Sequence, residues 1–358
     1  MTRAQVEATP VRLATAADVA AAAQLACLLE ASAPKPGNVS PGRHFADTRY
    51  EDFLASAAAI GQPLAGAGTR SVGATVRLAV ESTRRWTNSN TNLGIVLLLT
   101  PLARAALGLD RFSIRRRAEA LASADTRTLK RALYGETQTA PGATPATSPE
   151  SQAASPEEEC SASGLRAALR QVLDATTVDD ACDVYAAIRL ASPGGLGQAD
   201  SQDVASEPDV TLVAAMQLAA HRDGIAREYA TAFEVTFETG APALERARQD
   251  DLSWDDAVVE TFLSVLASNP DTHVARRAGI TAAEEVSARA RETLAAGGVR
   301  SAAGRRAIDE MDRGLRDARN LRNPGTTADL TTAAIFVELM RSKKSKVQSE
   351  TQIALGRR

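Results

Sequence analysis

Thr15-Ala16-Ala17-Asp18-Val19-Ala20-Ala21-Ala22-Ala23-Gln24-Leu25-Ala26-Cys27-Leu28-Leu29-Glu30-Ala31-Ser32 decides the fold class. Its apolar residues recur at helical rather than alternating spacing. Thr15 can cap the helix start, Asp18 suits the positive end of the dipole, and Pro34 stops the run. The same pattern recurs along the chain. Helices are expected over Tyr50 to Ile60, Val72 to Trp86, Leu93 to Leu107, Leu165 to Leu173 and Val178 to Leu190. Further ones run from Val210 through His221 and on to Phe237, then Trp254 to Ala267, Thr281 to Ala295 and Ser301 to Asn320. Thr326 is expected to cap a last helix ending at Met340, with Asp329 completing a capping box. Phe233 to Thr239 is the best strand candidate, but it continues a helical pattern.

The expected fold is therefore all-α, a single large multi-helix domain over residues 13–345 with a tail over 346–358. Glu136 to Gly164, rich in Ala, Pro, Ser, Thr and Glu without apolar period, reads as a disordered insert in that domain. Aromatics are only 4% of the 358 residues, so Ala, Leu, Val and Ile must fill the core, which favours close helix packing. No strand runs into a Gly-rich phosphate turn, so dinucleotide-binding and P-loop readings fail.

A net charge of −3 gives no support for a nucleic-acid partner. The most apolar run, Ile95 to Leu99, ends at Pro101 and Arg104 and is too short to span a bilayer, so no membrane association is expected. Cys27, Cys160 and Cys182 lack metal-type spacing. With no apolar signal region in Met1 to Arg12, a reducing cytoplasm is the expected compartment.

Five polar segments lie at helix ends. Lys35-Pro36-Gly37-Asn38, followed by His44 and Asp47, offers exposed amides and a lysine in a chain otherwise poor in lysine, a phosphate-type turn. As a bare structural feature it is an interhelical turn with a solvated lysine. Asn90-Thr91-Asn92-Leu93-Gly94 can orient a ligand through its amides and let it approach at Gly94, or can simply cap a helix through Asn90. Ser192-Pro193-Gly194-Gly195-Leu196-Gly197 is either a close-approach loop or a flexible connection. His221-Arg222-Asp223 precedes Arg227, and Asp223 and Arg227 can pair on a surface. The fifth group joins Asp271-Thr272-His273 and Arg276-Arg277 to Asn323-Pro324-Gly325-Thr326-Thr327-Ala328-Asp329, where capping alone also accounts for Asp271 and Thr326. All three histidines, His44, His221 and His273, fall in these segments. Carboxylates among amides suit Mg²⁺ better than zinc.

Lys35-Pro36-Gly37, Gly42-x-His44, Asn90-Thr91-x-x-Gly94, Asp271-Thr272-His273 with Arg276 or Arg277 and Gly279, and Pro324-Gly325-x-x-Ala328-Asp329-Leu330 occur in that order. In this the chain resembles the triphosphoribosyl-dephospho-CoA synthases, and more their divergent archaeal-type branch. The resemblance implies an all-α fold and a transferase that moves the triphosphoribosyl group of ATP to 3′-dephospho-CoA, or a related hydroxyl acceptor, with release of adenine. In the family the product is the precursor of the prosthetic group of citrate lyase or malonate decarboxylase. It implies ATP as substrate, Mg²⁺ at the triphosphate, and leaves a homodimer open.

On this resemblance His44, Asp271, Asp329 and His273 are the expected catalytic residues. Lys35, Gly37, Asn38, Asn90, Asn92, Gly94, Gly194, Gly195, Arg276, Gly325 and Thr326 bind the nucleotide, and Asp271, Asp329 and Asp47 bind the metal. One departure matters: typical members carry Asn-Thr-His-Lys-Gly where this chain has Asn92 and Leu93, so phosphate charge must come from elsewhere, Arg84, Arg85 or Arg276. A Mg²⁺-dependent nucleotide or N-glycoside hydrolase and a non-catalytic nucleotide-binding protein are the rival readings.

Overall fold

The computed structural model describes residues 14–108, 162–194, 197 and 201–355, with backbone alone beyond Arg341. The expected insert therefore lies largely outside the described residues, as do Cys160 and Gly195. Its last three residues are a correction: Ala162, Ser163 and Gly164 open a helix.

In chain order the helices are α1 (Ala16–Ser32), α2 (Tyr50–Ala59), α3 (Gly61–Ala65), α4 (Val72–Arg84) and α5 (93–108). They continue with α6 (Ala162–Asp174), α7 (Val178–Ala191), α8 (Leu212–Ala219) and α9 (Gly224–Thr231). A π-helical turn (Val235–Gly240) leads into α10 (Ala241–Gln249), α11 (Trp254–Ser268), α12 (Thr272–Ala278) and α13 (Ile280–Ala295). Then come α14 (Ala302–Leu315) and α15 (Gly325–Leu355). No strand occurs among the described residues; an isolated bridge joins Ser40 and Arg43.

Local chemistry sets these boundaries. The capping box of α1 forms as expected, the Thr15 side chain accepting from Asp18 N–H and Asp18 accepting from Thr15 N–H. Two long runs are corrected. The helix expected from Val210 to Phe237 breaks at His221 to Asp223, because Asp223 accepts from Ile225 and Ala226 N–H and starts α9 afresh. The strand candidate at Phe233 to Thr239 is the π turn, entered through Ala232 and Phe233 at φ 51° and 61°. Buried Glu228 pins that turn by accepting from Val235 N–H, Thr236 N–H and the Thr236 hydroxyl. The last helix starts at Gly325 rather than behind a Thr326 cap and runs to Leu355 rather than Met340, since no Gly or Pro interrupts that stretch.

The core is aliphatic, as the composition requires, with Leu98, Leu99, Leu102 and Leu244 buried beside the few aromatics Phe233, Phe262 and Phe336. Small residues set the close approaches. A Cβ on Gly73 would fall 2.4 Å from the Asp180 carbonyl, so α4 lies directly on the start of α7, and Gly73 N–H donates to Asp180 at 2.7 Å. Helix α15 packs along α1, α11 and α10 and so carries the N-terminal and C-terminal halves of the chain on one rod. Cys27 is a buried free thiol, pushed up in pKa by burial, and Cys182 is a half-buried one. No helix of the described residues is long and apolar enough to cross a membrane.

Candidate active site

The starts of α5, α9, α12 and α15, the loop after α1 and the loop after α7 open onto one cavity of about 1420 Å³. All five polar segments reach it. They contribute Asn38 and Asp47; Asn90, Asn92 and Gly94; Gly194 and Gly197; His221, Arg222 and Asp223; and His273, Arg276, Asn323, Gly325, Thr326 and Asp329.

Asp329 is the central side chain. It lies half-buried on the cavity wall in the second turn of α15, and it makes no hydrogen bond among the described residues. Burial pushes it well above the usual carboxylate range, with the Glu30 and then the Asp271 carboxylates adding to the effect and Arg276 opposing it. Gly94 explains how it fits: a Cβ there would fall 2.1 Å from Asp329 Oδ2. The glycine lets the carboxyl lie against the first turn of α5.

Arg276 faces the same space. Its guanidinium donates to Asp223 Oδ2 at 2.6 Å, while its Nε is buried without a partner. Asn323 Oδ1 is likewise buried and unpartnered. Asp223 therefore pairs across to α12, not with Arg227, which sits 3.8 Å from Glu234. His273 Nδ1 lies 3.0 Å from the Asn323 carbonyl, and burial holds its pKa below the ordinary imidazole value against the pull of Asp271. Thr326 is not a cap; its hydroxyl meets that of Thr272 at 3.1 Å, and Thr272 also accepts from Gly224 N–H.

Several expected site residues are placed elsewhere. Lys35 is buried, its Nζ 3.0 Å from Glu30 Oε1 and donating to the Glu30 and Ala33 carbonyls, so it pairs with the buried Glu30 instead of facing the cavity. Gly37 takes the left-handed conformation, packs on Leu315 and Pro324, and donates its N–H to Asp312. His44 is exposed outside the cavity, where Nδ1 accepts from Tyr50 N–H at the start of α2. Asp271 is buried and fully engaged: Oδ1 caps α12 through Val274 N–H, and Oδ2 accepts from both Thr327 N–H and its hydroxyl at 2.7 Å. It ties α12 to α15 and so positions Asp329 and His273 without facing the cavity. Asn92 lines the cavity but spends its amide on Thr83, and Asn90 accepts from Leu93 N–H as the cap of α5.

Glu30 and Arg222 are two of the cavity residues that are not among the expected site residues. Glu30 lines the cavity from within α1, where its only signal is a charge placed next to apolar neighbours before the Pro34 stop. Arg222 lines the cavity without an ion pair among the described residues. The departure at residues 92 and 93 is met in part: Leu93 is buried against the cavity, and Arg84, Arg222, Arg276 and Arg277 supply positive charge around it.

The described residues thus define an all-α protein with a large cavity at its helix ends, lined by both polar and apolar side chains. The chain belongs to the ATP:dephospho-CoA triphosphoribosyl transferase family, whose model matches residues 16–135 and 133–348. A Pseudomonas paraeruginosa protein named "Probable 2-(5''-triphosphoribosyl)-3'-dephosphocoenzyme-A synthase" is 38% identical over 116 residues, 32% of this chain and 39% of that protein. A protein of the same name from Pseudomonas syringae pv. tomato is 34% identical over 114 residues, 32% of this chain and 38% of that protein. The chain thus matches well under half the length of these relatives. A solved structure from Archaeoglobus fulgidus, titled as a candidate triphosphoribosyl-dephospho-CoA synthase, aligns over 80% of this chain and 98% of its own, with a TM-score of 0.51 and 23% identity. At that identity the likeness is one of fold.

Proposed function

We propose that this chain transfers the triphosphoribosyl group of ATP to a hydroxyl of 3′-dephospho-CoA and releases adenine. The observation that carries the reading is Asp329: a carboxyl without a hydrogen-bond partner among the described residues, on the wall of a cavity large enough for nucleotides, in a chain of this family. The reaction breaks the bond between ribose C1 and the adenine nitrogen and forms one between C1 and the acceptor oxygen. The leaving adenine needs a proton, and the acceptor hydroxyl loses one.

A protonated Asp329 gives its proton to the departing base. The carboxylate left behind faces the positive charge that develops at C1. It then takes the proton of the incoming hydroxyl, which restores the starting state. Burial first, and then the nearby Glu30 carboxylate, favour the protonated form of Asp329. Arg84, Arg222, Arg276 and Arg277 hold phosphates through planar forks.

Magnesium fits in kind, because it prefers oxygen ligands and usually reaches a protein through one or two carboxylates and the substrate phosphates. Among the described residues no three acids, histidines or cysteines cluster as a metal centre. Asp47, exposed on the cavity wall with its carboxylate accepting from the Thr48 hydroxyl at 3.2 Å, is the carboxylate that would hold it. When bound, the ion would neutralise the triphosphate.

The test is incubation with ATP, Mg²⁺ and 3′-dephospho-CoA, followed by mass analysis. Adenine release that depends on the acceptor, with a product heavier by the triphosphoribosyl group and lost in Asp329→Asn, is expected. Acceptor-independent adenine release would point to a hydrolase instead. ATP binding without adenine release would point to a non-catalytic binding protein.

A further inference from the structure

A smaller cleft of about 440 Å³ adjoins the main cavity and shares Asp47, Arg84, Asn88 and Ser89 with it. It is built on the C-terminal end of α4 and the start of α2, and Arg49, Arg85 and Trp86 complete it. Trp86 is 73% exposed, the most exposed large apolar side chain among the described residues. The other tryptophan, Trp254, is half-buried under the Arg248 guanidinium at 4.6 Å, so exposure at Trp86 is not a general habit of this surface.

The cleft is pre-arranged. Arg84 donates to the Asn88 carbonyl at 2.6 Å, Ser89 donates to the Asp47 carbonyl at 3.0 Å, and Thr87 donates to Asp52 at 2.7 Å. Asp52 also accepts from Arg49 N–H, which leaves both its oxygens engaged. Arg85 makes no hydrogen bond or ion pair through its side chain among the described residues. A bare indole beside an unpaired guanidinium, with two further arginines on the same wall, offers a stacking face and phosphate donors at once.

We propose that this annex is a second subsite for an adenine nucleotide, with the purine stacked on Trp86 and phosphate oxygens held by Arg85 and Arg84. The identity of the nucleotide rests on the proposed reaction, which needs two adenine nucleotides side by side; the recognition chemistry does not. Continuity of the two cavities through Arg84 and Ser89 lets one occupant of the annex extend into the main cavity.

Tryptophan fluorescence tests it on the full-length protein, with ATP, 3′-dephospho-CoA and pantetheine titrated separately. Either nucleotide should quench emission saturably, pantetheine should not, and the responding nucleotide identifies the occupant. In Trp86→Leu the quench should vanish and the affinity for that nucleotide, measured by calorimetry, should fall roughly tenfold or more. Arg85→Gln should retain the quench at saturation but need several-fold more nucleotide to reach it. Circular dichroism of both variants should match the parent.

No quench by either nucleotide, or unchanged affinity in Trp86→Leu, overturns the subsite. Quenching without any acceptor-dependent adenine release would leave the subsite standing and remove the proposed reaction. Turnover without quenching would do the reverse.

Discussion

Gly94→Ala separates the role of Asp329 from the stability of the fold. The new methyl would sit 2.1 Å from Asp329 Oδ2 and 2.6 Å from its Cγ. An ordinary contact needs more than about 3 Å, so the carboxyl must move by roughly 1 Å, and it can do so only by turning further into the cavity. A displacement of that size at a reacting centre costs about 100-fold in rate. The helix pulls the other way, because alanine is better than glycine in a helix by up to about 1 kcal/mol. The expected result is a melting temperature at or slightly above the parent, with adenine release down roughly 100-fold. The assay is chromatographic detection of adenine from ATP and 3′-dephospho-CoA, paired with thermal denaturation. Near-parental turnover would refute the placement of Asp329 at the reacting carbon. A large loss of stability would show instead that the glycine serves packing.

Lys35→Met should destabilise by about 3–5 kcal/mol in urea, because it strands the buried Glu30 charge, and adding Glu30→Gln should recover most of the loss. Asp271→Ala removes the acceptor of Val274 N–H and of the Thr327 N–H and hydroxyl, so stability should fall by about 2–4 kcal/mol; an unchanged urea midpoint would contradict its role as a tie. Arg305 holds the Asp256 carboxyl below its ordinary value through paired hydrogen bonds. That stability is present above about pH 4 and is lost as pH falls through the folded-state value. The pair is partly exposed, so Arg305→Ala should cost less than about 1 kcal/mol at neutral pH, and the difference from the parent should shrink below about pH 4.

Helix periods and caps made most of the architecture readable from sequence, because capping is local: Thr15 and Asp18 act within four residues. The Asp223 cap that restarts α9 is equally local but lies inside an apolar period, and the π turn lies beyond that range. The π turn after α9 depends on the Glu228 carboxylate reaching Val235 and Thr236, and apolar periodicity carries no trace of that bond. The site shows the same division. The polar segments could be identified one by one, and they do converge on one cavity. Which member of each segment faces it could not be read, because direction is fixed by partners far along the chain. Lys35 turns inward because Glu30 lies within its reach, and Asp271 turns away because Thr327 offers two donors. Gly37 and Asn38 are clamped by Asp312 and Arg316, some 275 residues on.

The leucine at residue 93 bears on acid–base chemistry more than on phosphate grip. Four arginines already line the cavity, whereas the first turn of α5, where Gly94 touches Asp329, has no cation of its own. A lysine there would reach into the same space and favour the ionised form of Asp329. Leucine, buried on that wall, adds no charge there, and burial holds the Asp329 carboxyl above its ordinary value. Leu93→Lys is therefore expected to lower the Asp329 pKa. If Asp329 delivers a proton to adenine, the rate falls as pH rises through that pKa, and the variant should shift this alkaline limb to lower pH. Nucleotide affinity should hold steady or improve, since a cation is added beside the phosphates. An alkaline limb that stays in place while affinity rises would assign residue 93 to phosphate binding alone, and Asp329 would then lose its part in proton transfer.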